Sequence, residues 1–350
     1  MKKTISLLLV LALLAMSFVG CAKAAVETPA ETTTDAAVTT DAAVTPEIVM
    51  PKVALVLNGP VSDMGWNASG LRGLQAIEKD FGAEIAYKEN VQQSDMEEAF
   101  RAYAEAGYGV VIGHGSQFTD AIKVVAGSYP DVKFVLINGS EGNGTNIASV
   151  QVADEQQGYL MGAVAALLTK TGTVGMIGGS EIPPIKKGVV GFKQGAEETA
   201  TRMGTKIKVL TAMTGSFDDV AKAKEVAMSM ADQGADIVGG LANQAGLGII
   251  EGAKTKGIMA IGANTDQFEA APDTVVVSLQ KDVAVAYTYS YGKVVDGSFA
   301  GDVTKIGVKE GIVFLSPWHN FDTKVSQAVK DELQKIIDEI SAGTIVVKAE

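Results

Sequence analysis

Two histidines and one cysteine in 350 residues leave little from which to build a catalytic or metal centre. His114 sits in GHGSQF and His319 in SPWHN, neither beside a second metal ligand at a usable spacing, and no Gly-x-Ser-x-Gly nucleophile elbow occurs. The segment GMIGG lacks both the dinucleotide Gly-x-Gly-x-x-Gly spacing and the Gly-Lys-Ser/Thr of a phosphate loop. A lone cysteine excludes an intrachain disulfide. Basic clusters are missing as well: 29 Lys and Arg stand against 41 Asp and Glu, a formal charge of -12. No aromatic-studded basic face offers itself to nucleic acid. Nor does any apolar run reach the about 20 residues of a membrane-spanning helix. The chain is therefore expected to be no enzyme, to hold no metal and no cofactor, and to leave nucleic acid alone.

What is present begins with MKKTISLLLVLALLAMSFVGCAKAA. Lys2 and Lys3, the apolar stretch from Ile5 to Ala15 and the small residues before Cys21 read as an export signal over 1–20. Cys21, just after Val19 and Gly20, resembles a bacterial lipoprotein processing site and would be the lipidated first residue, holding the protein at the extracytoplasmic face of the cell membrane. A secreted or signal-anchored protein is the plain alternative. Residues 21–50, rich in Ala, Thr and Val with Pro29 and Pro46, show no sustained periodicity and read as a disordered tether. Without Lys2 and Lys3 the charge goes from -12 to -14, which favours solubility and weakly disfavours an anionic ligand.

From Lys52 onward, buried apolar runs alternate with amphipathic stretches, the pattern of βα units on mostly parallel sheets. Val53 to Leu57 has no polar break, as a strand buried on both faces requires, and Leu71, Leu74, Ile77 and Phe81 then recur at helical spacing. Ser94 and Glu97 have the spacing of a capping box for the next helix. GVVIG, KFVLIN and IASVQV continue the first series as strands; TVGMIGG opens a second series of the same kind, carried on by ADIVGGLA and IMAIGAN. Short returns follow: TVVVSLQ, a helix from Val283 to Val295, GIVFLSP, and a helix from Thr323 to Ile340. The expected architecture is α/β, with two Rossmann-like three-layer lobes joined by a multi-strand hinge. Lobe 1 is read as 51–152 plus 280–310 and lobe 2 as 153–279 plus 311–350. A cleft between hinged lobes follows from that connectivity.

Polar and aromatic residues gather at the strand tips, where open α/β sheets bind small molecules. Asp63, Trp66 and Asn67 follow the first strand, and Asn243, Gln244 and Asn264 end later ones. Trp66 in a polar turn is suited to stacking a flat ring, against the plainer reading of a packing tryptophan. Asp63 and Asn67 either bind ligand or cap the helix that follows. Phe118 and Phe217 stand at turn-to-helix junctions, where a ring lines either a cleft or a core. Lys281 is read as beginning a helix, a place where a cation is disfavoured by the helix dipole unless compensated. His114 either lines the cleft or is a turn histidine; His319 is read as structural near a hinge.

The segments SDMGWNASGLRGL, YPDVKFVLI, GTVGMIGGSEIPPIKKGVVGFKQGAE, TGSFDDVAKAKE, AGLGIIEGAKTKGIMAIGANTDQ and VSLQKDVA, in this order and spacing, carry a resemblance. From Lys52 to the C-terminus the chain resembles the basic membrane protein family of bacterial substrate-binding lipoproteins, of the purine nucleoside receptor type. The resemblance implies a periplasmic-binding-protein type I fold, a monomer, and delivery of a purine nucleoside to the permease and ATPase of an ABC importer. It also implies a base held between aromatic side chains and a ribose gripped by polar ones. By it, Asp63 and Asn67 match the family's polar pair, Trp66 an aromatic at that turn, and Lys281 a ribose-contacting lysine. Two positions depart: Asn264 stands where the family usually has Asp, and Asn243-Gln244 where it has a Gly-rich turn. No aromatic lies near Gly239-Gly240, where many relatives carry one.

The expected function is binding of a purine nucleoside in the interlobe cleft by stacking and polar contacts, for import. The departures keep a free nucleobase or another flat heterocycle, such as a flavin, in view, and also a ligand-sensing domain not coupled to transport. An enzyme on the same architecture would need a cofactor loop or a converging acid and base, and neither is legible.

Overall fold

A computed structural model describes residues 50–62 and 66–350. The chain divides into a first unit, Met1–Ile48, and a second, Val49–Glu350; everything below concerns the second. The expected signal, Cys21, the tether up to residue 49, and Asp63 all lie outside the described residues.

Twelve strands form two six-stranded sheets among the described residues. The first sheet takes β1 (Val53–Val56), β2 (Ile85–Lys88), β3 (Val110–His114), β4 (Lys133–Ile137), β5 (Ile147–Val152) and β11 (Val303–Ile306). The second takes β6 (Thr173–Gly178), β7 (Lys208–Met213), β8 (Ile237–Leu241), β9 (Met259–Asn264), β10 (Val275–Lys281) and β12 (Val313–Leu315). Their orders, β11-β5-β4-β3-β1-β2 and β12-β10-β9-β8-β6-β7, are the same topology twice, parallel throughout except that β12 runs antiparallel to β10. In each sheet the order reverses beside the first strand, between β1 and β3 and between β6 and β8. Open α/β folds bind ligands at that switch, outside the carboxyl ends of the strands.

Side-chain alternation on β1 shows why it is central. Val53 and Leu55 face one core cluster, Ala54 and Val56 the other, and all four are fully buried. β2 and β11 have no counterpart in the sequence reading. Both are edge strands with partly exposed patterns, so IAYK and VTKI lack the apolar run that marks a buried strand.

The helices are α1 (Trp66–Phe81), α2 (Met96–Glu105), α3 (Thr119–Ala126), α4 (Asp154–Leu168), α5 (Pro183–Arg202), α6 (Val220–Asp232), α7 (Gly246–Lys256), α8 (Ala284–Val295) and α9 (Gln327–Ser341). The expected capping box does not form: a short 3-10 turn, Gln93–Asp95, precedes α2, and the Ser94 hydroxyl donates to the Asp95 carboxylate instead of taking a backbone N–H. α9 starts later than Thr323 because Ser326, in extended conformation, caps it by accepting from the Val329 N–H. α4 is apolar nearly all round and almost wholly buried, as an interior helix must be. It meets α5 backbone to backbone. A methyl added to Gly158, Gly162, Gly191 or Gly195 would run into a carbonyl of the facing helix, so only glycine permits this approach.

The chain passes between the sheets three times: from β5 to α4, from β10 to α8, and from β11 to β12. α8 packs on α1, and its Tyr291 hydroxyl donates to the Pro51 carbonyl at 2.6 Å, tying the third segment to the start of β1.

Candidate functional site

A cavity of about 480 Å³ opens at the carboxyl ends of the two sheets. That is within the roughly 300–1,000 Å³ of small-molecule sites. Ser62, Trp66, Ser69 and Arg72 line it from the first sheet's side, and residues of β9, β10 and the start of α7 from the second's.

The wall from the first sheet is built on His114. β3 ends in this histidine, which is fully buried, and its ring lies under the Trp66 indole with centroids 3.9 Å apart and planes 16° from parallel. The Trp66 Nε1–H donates to the His114 carbonyl at 3.1 Å. One His114 nitrogen, Nε2, is 2.7 Å from the Trp66 carbonyl, and the other, Nδ1, is 2.8 Å from the Tyr287 hydroxyl. A carbonyl only accepts, so Nε2 carries the hydrogen and Nδ1 accepts from the phenol. Burial pushes the Tyr287 phenol well above its ordinary range, so it keeps the proton it donates. A buried tyrosine from α8 thus fixes a histidine, and the histidine fixes the tryptophan that faces the cavity.

The wall from the second sheet rests on asparagines in left-handed backbone. Asn243 after β8 has φ 50° and Asn264 at the end of β9 has φ 66°, values that Asn tolerates better than most side chains. Further along, Asp266 lines the cavity and accepts from the His319 ring at 2.7 Å, while that ring stacks on Phe268 at 4.1 Å. His319 therefore braces the rim of this wall.

The floor is ionic. Lys281 Nζ lies 2.7 Å from Asp154 Oδ1, with side chains 12% and 4% exposed, so the pair is almost desolvated. The other Asp154 oxygen accepts from Asn138 at the tip of β4, at 3.4 Å. Next to it, the buried Glu155 carboxylate pairs with Lys305 of β11. Both carboxylates open α4, where the helix dipole favours negative charge, and both bind partners on the first sheet, Asn138 and Lys305, across a chain crossover. The Gln157 amide, fully buried one turn on, donates to the Leu279 carbonyl at 2.8 Å and to Asn264 Oδ1 at 3.3 Å.

Trp66, Asn243, Gln244, Asn264 and Lys281 are thereby brought to one cavity. Phe118, Phe217 and Asn67 are not among the residues that line it. Phe118 is fully buried in edge-to-face contact with Phe100, because the 3-10 turn after β3 rolls its ring under the sheet and away from the cavity. Phe217 does not line the cavity either; its ring covers Gly179 beyond the tip of β6. Asn67 is buried and accepts from the Gly59 N–H at 3.3 Å, holding α1 against the turn that leaves β1. Lys281 is also not at a helix start: it ends β10 opposite Val313 of β12, and α8 begins at Ala284. Its compensation is the Asp154 carboxylate. Sequence reading missed Asp154, Gln157 and Arg72. The first two carry no signal beyond being polar residues ahead of an apolar stretch, and nothing in the sequence marks Arg72.

Residues 50–346 match the family model described as Bmp, ABC transporter substrate-binding protein PnrA-like. The chain is 31% identical over 303 residues to Basic membrane protein A of Borreliella burgdorferi, covering 85% of this chain and 86% of that one. It is 28% identical over 287 residues to Transcriptional activator protein med of Bacillus subtilis, covering 82% and 87%. Its fold is shared with an ABC transporter solute-binding protein from Aeropyrum pernix K1, with a TM-score of 0.72 at 23% identity, covering 86% of this chain and 94% of that one. The repeated sheet order, the cavity at the strand tips and the match from 50 to 346 agree: the chain belongs to the Bmp family of PnrA-like ABC transporter substrate-binding proteins.

Proposed function

We propose that this protein is an extracytoplasmic receptor, lipid-anchored through Cys21, that closes its lobes on a flat heterocycle of the purine nucleoside class and delivers it to an ABC permease. We take the lobes as 51–152 with 280–310 and 153–279 with 311–350. The observation that carries this reading is the Trp66 indole set parallel on the buried His114 ring at the cavity wall. With one face backed by His114, the indole has its other face for a ligand ring, a contact worth about 1–3 kcal/mol by analogy with base stacking. Asn243, Gln244 and Asn264 supply amide donors and acceptors on the facing wall, and Lys281, held by Asp154, supplies a directed N–H donor. Asp63 stays in the proposal as a further ligand contact, on the resemblance alone.

The test is calorimetry of the mature protein with inosine, guanosine, adenosine and the free bases, together with mass spectrometry of small molecules released from protein as purified. Binding of at least one purine tighter than roughly 1 mM is expected; none binding removes the heterocycle reading.

Similarity to Transcriptional activator protein med favours a second reading, in which the same cavity senses a ligand for a regulator rather than a permease. Incorporation of labelled fatty acid at Cys21, lost in Cys21→Ser, separates the two, since the receptor reading requires the anchor and the regulator reading does not.

A further inference from the structure

Asn264 stands at the tip of β9 with its side chain on the cavity, and an amide there can turn either its oxygen or its NH2 group toward a ligand. The choice is made at Leu279 and reaches Asn264 through Gln157. Leu279 presents a backbone carbonyl, which only accepts, and the buried Gln157 amide meets it with Nε2 at 2.8 Å. Turning Gln157 over would set its oxygen against that carbonyl, so its orientation is fixed even though Oε1 has no hydrogen-bond partner among the described residues. The second hydrogen of the same Nε2 then points to Asn264, whose Oδ1 lies 3.3 Å away and accepts it. Turning Asn264 over would oppose two donors. Its Oδ1 is thus taken by the protein, and Nδ2, which makes no hydrogen bond among the described residues, is left for the cavity.

We infer that Gln157 locks Asn264 with its NH2 group toward the cavity, so that a ligand must meet this wall with a hydrogen-bond acceptor. The acceptor is a carbonyl oxygen, a ring nitrogen or an ether oxygen. This inference deepens the receptor reading and rests on it for the ligand's class, but the orientation of Asn264 does not depend on that class. Asn264 is a specificity-determining residue here and Gln157 a positioning residue. A site that offers a donor rejects a ligand that brings an amino group or a ring N–H to the same point, because two donors face each other and neither is satisfied, whereas a hydroxyl can turn its oxygen toward it.

The substitution that isolates the effect is Asn264→Asp. Aspartate tolerates the left-handed backbone, and one of its oxygens still accepts from Gln157, so only the group facing the cavity changes. Two measurements are made on the full mature chain. In protein labelled with nitrogen-15 at Asn and Gln, the Asn264 side-chain amide pair, assigned by its loss in Asn264→Asp, is expected to exchange hydrogen with solvent freely while the Gln157 pair is protected. A protected Asn264 pair, or a Gln157 pair exchanging as fast, overturns the inference with no ligand present. In calorimetry with inosine, guanosine, adenosine and hypoxanthine, each probe that binds the wild type is expected to bind Asn264→Asp at least tenfold more weakly. In a Gln157→Met background, where Asn264 is free to turn, that penalty is expected to fall below threefold. A probe that binds Asn264→Asp as tightly as wild type or tighter presents a donor and overturns the inference. If none of the four binds the wild type, the purine reading fails, and the exchange measurement alone decides the orientation.

Discussion

Trp66 owes its position to residues that are fully buried, His114 and Tyr287. Its indole is pinned by a hydrogen bond to the His114 carbonyl, and the His114 ring beneath it is held between the Trp66 carbonyl and the Tyr287 hydroxyl. Trp66→Ala is accordingly expected to weaken ligand binding tenfold or more, at about 1.4 kcal/mol per decade. The chain has two tryptophans, so in a Trp318→Phe background the emission left is that of Trp66, and it should change on saturation with ligand. An unchanged affinity and an unchanged spectrum would assign Trp66 to packing. The residues at this scale were unevenly legible. Asn243 and Asn264 could be placed because a polar side chain straight after an apolar run marks a strand tip, and Trp66 because it stands in the polar turn that follows one; Lys281 was taken for a helix start because its strand partner, Val313 of β12, is distant in sequence. Phe118 was misread because a phenylalanine at such a junction has no polar handle to say which side of the sheet it takes. Asp154 and Gln157 were invisible because their roles depend on partners 127 and 122 residues away in sequence.

Among the elements, α5 is the most constrained. On one side it meets α4 through glycines, and on the other its last turn carries Arg202, which forms ion pairs with Glu332 and Glu339 of α9. Gly162→Ala would push its methyl into the Phe192 carbonyl, and the helices would have to separate. A loss of about 2–3 kcal/mol is expected by urea unfolding, at the upper end for overpacking. The α5–α9 clamp should be sensitive to acid. The hydrogen bond from Arg202 holds the Glu339 carboxyl below its ordinary 4.5. A carboxyl depressed in the folded state stabilises above its unfolded value, and that contribution disappears as pH falls through the folded one. Wild type should therefore exceed Glu339→Gln in stability at pH 7, and urea midpoints should converge as the pH is lowered well below 4.5. A difference that persists unchanged in acid would place the effect in packing. Buried elements such as β1 and β6 were legible from unbroken apolar runs; β2 and β11, at sheet edges, bury one face or less and lacked such a run, whereas the edge strand β12 showed through GIVFLSP.

In the whole molecule, two copies of one sheet topology share a cavity at their switch points, and the chain crosses between them three times. This connectivity was readable from the order of the βα units, because a half-built series, a full second series and short returns leave few other arrangements. Ligand that binds both walls stabilises the folded chain by mass action, by about 2.7 kcal/mol at a free concentration of 100 times Kd. Scanning calorimetry with the purine that binds most tightly should show the midpoint rising steadily with ligand concentration. A midpoint that stays constant at saturating ligand would mean that the ligand seen in solution does not use this cavity.

The glycine contact between α4 and α5 also decides how movement at the crossover is transmitted. Side chains usually cushion a helix pair, and a cushion absorbs small displacements by changing rotamers. Here backbone meets backbone at four glycines, where no side chain can absorb them, and the pair is expected to move as a single stiff beam. Asp154 and Glu155 are at one end of that beam, bonded to Asn138 and Lys305 of the other sheet. A shift of those two bonds by a fraction of an ångström cannot be taken up along α4. It is expected to turn the beam, and with it the second sheet and the wall that carries Asn264.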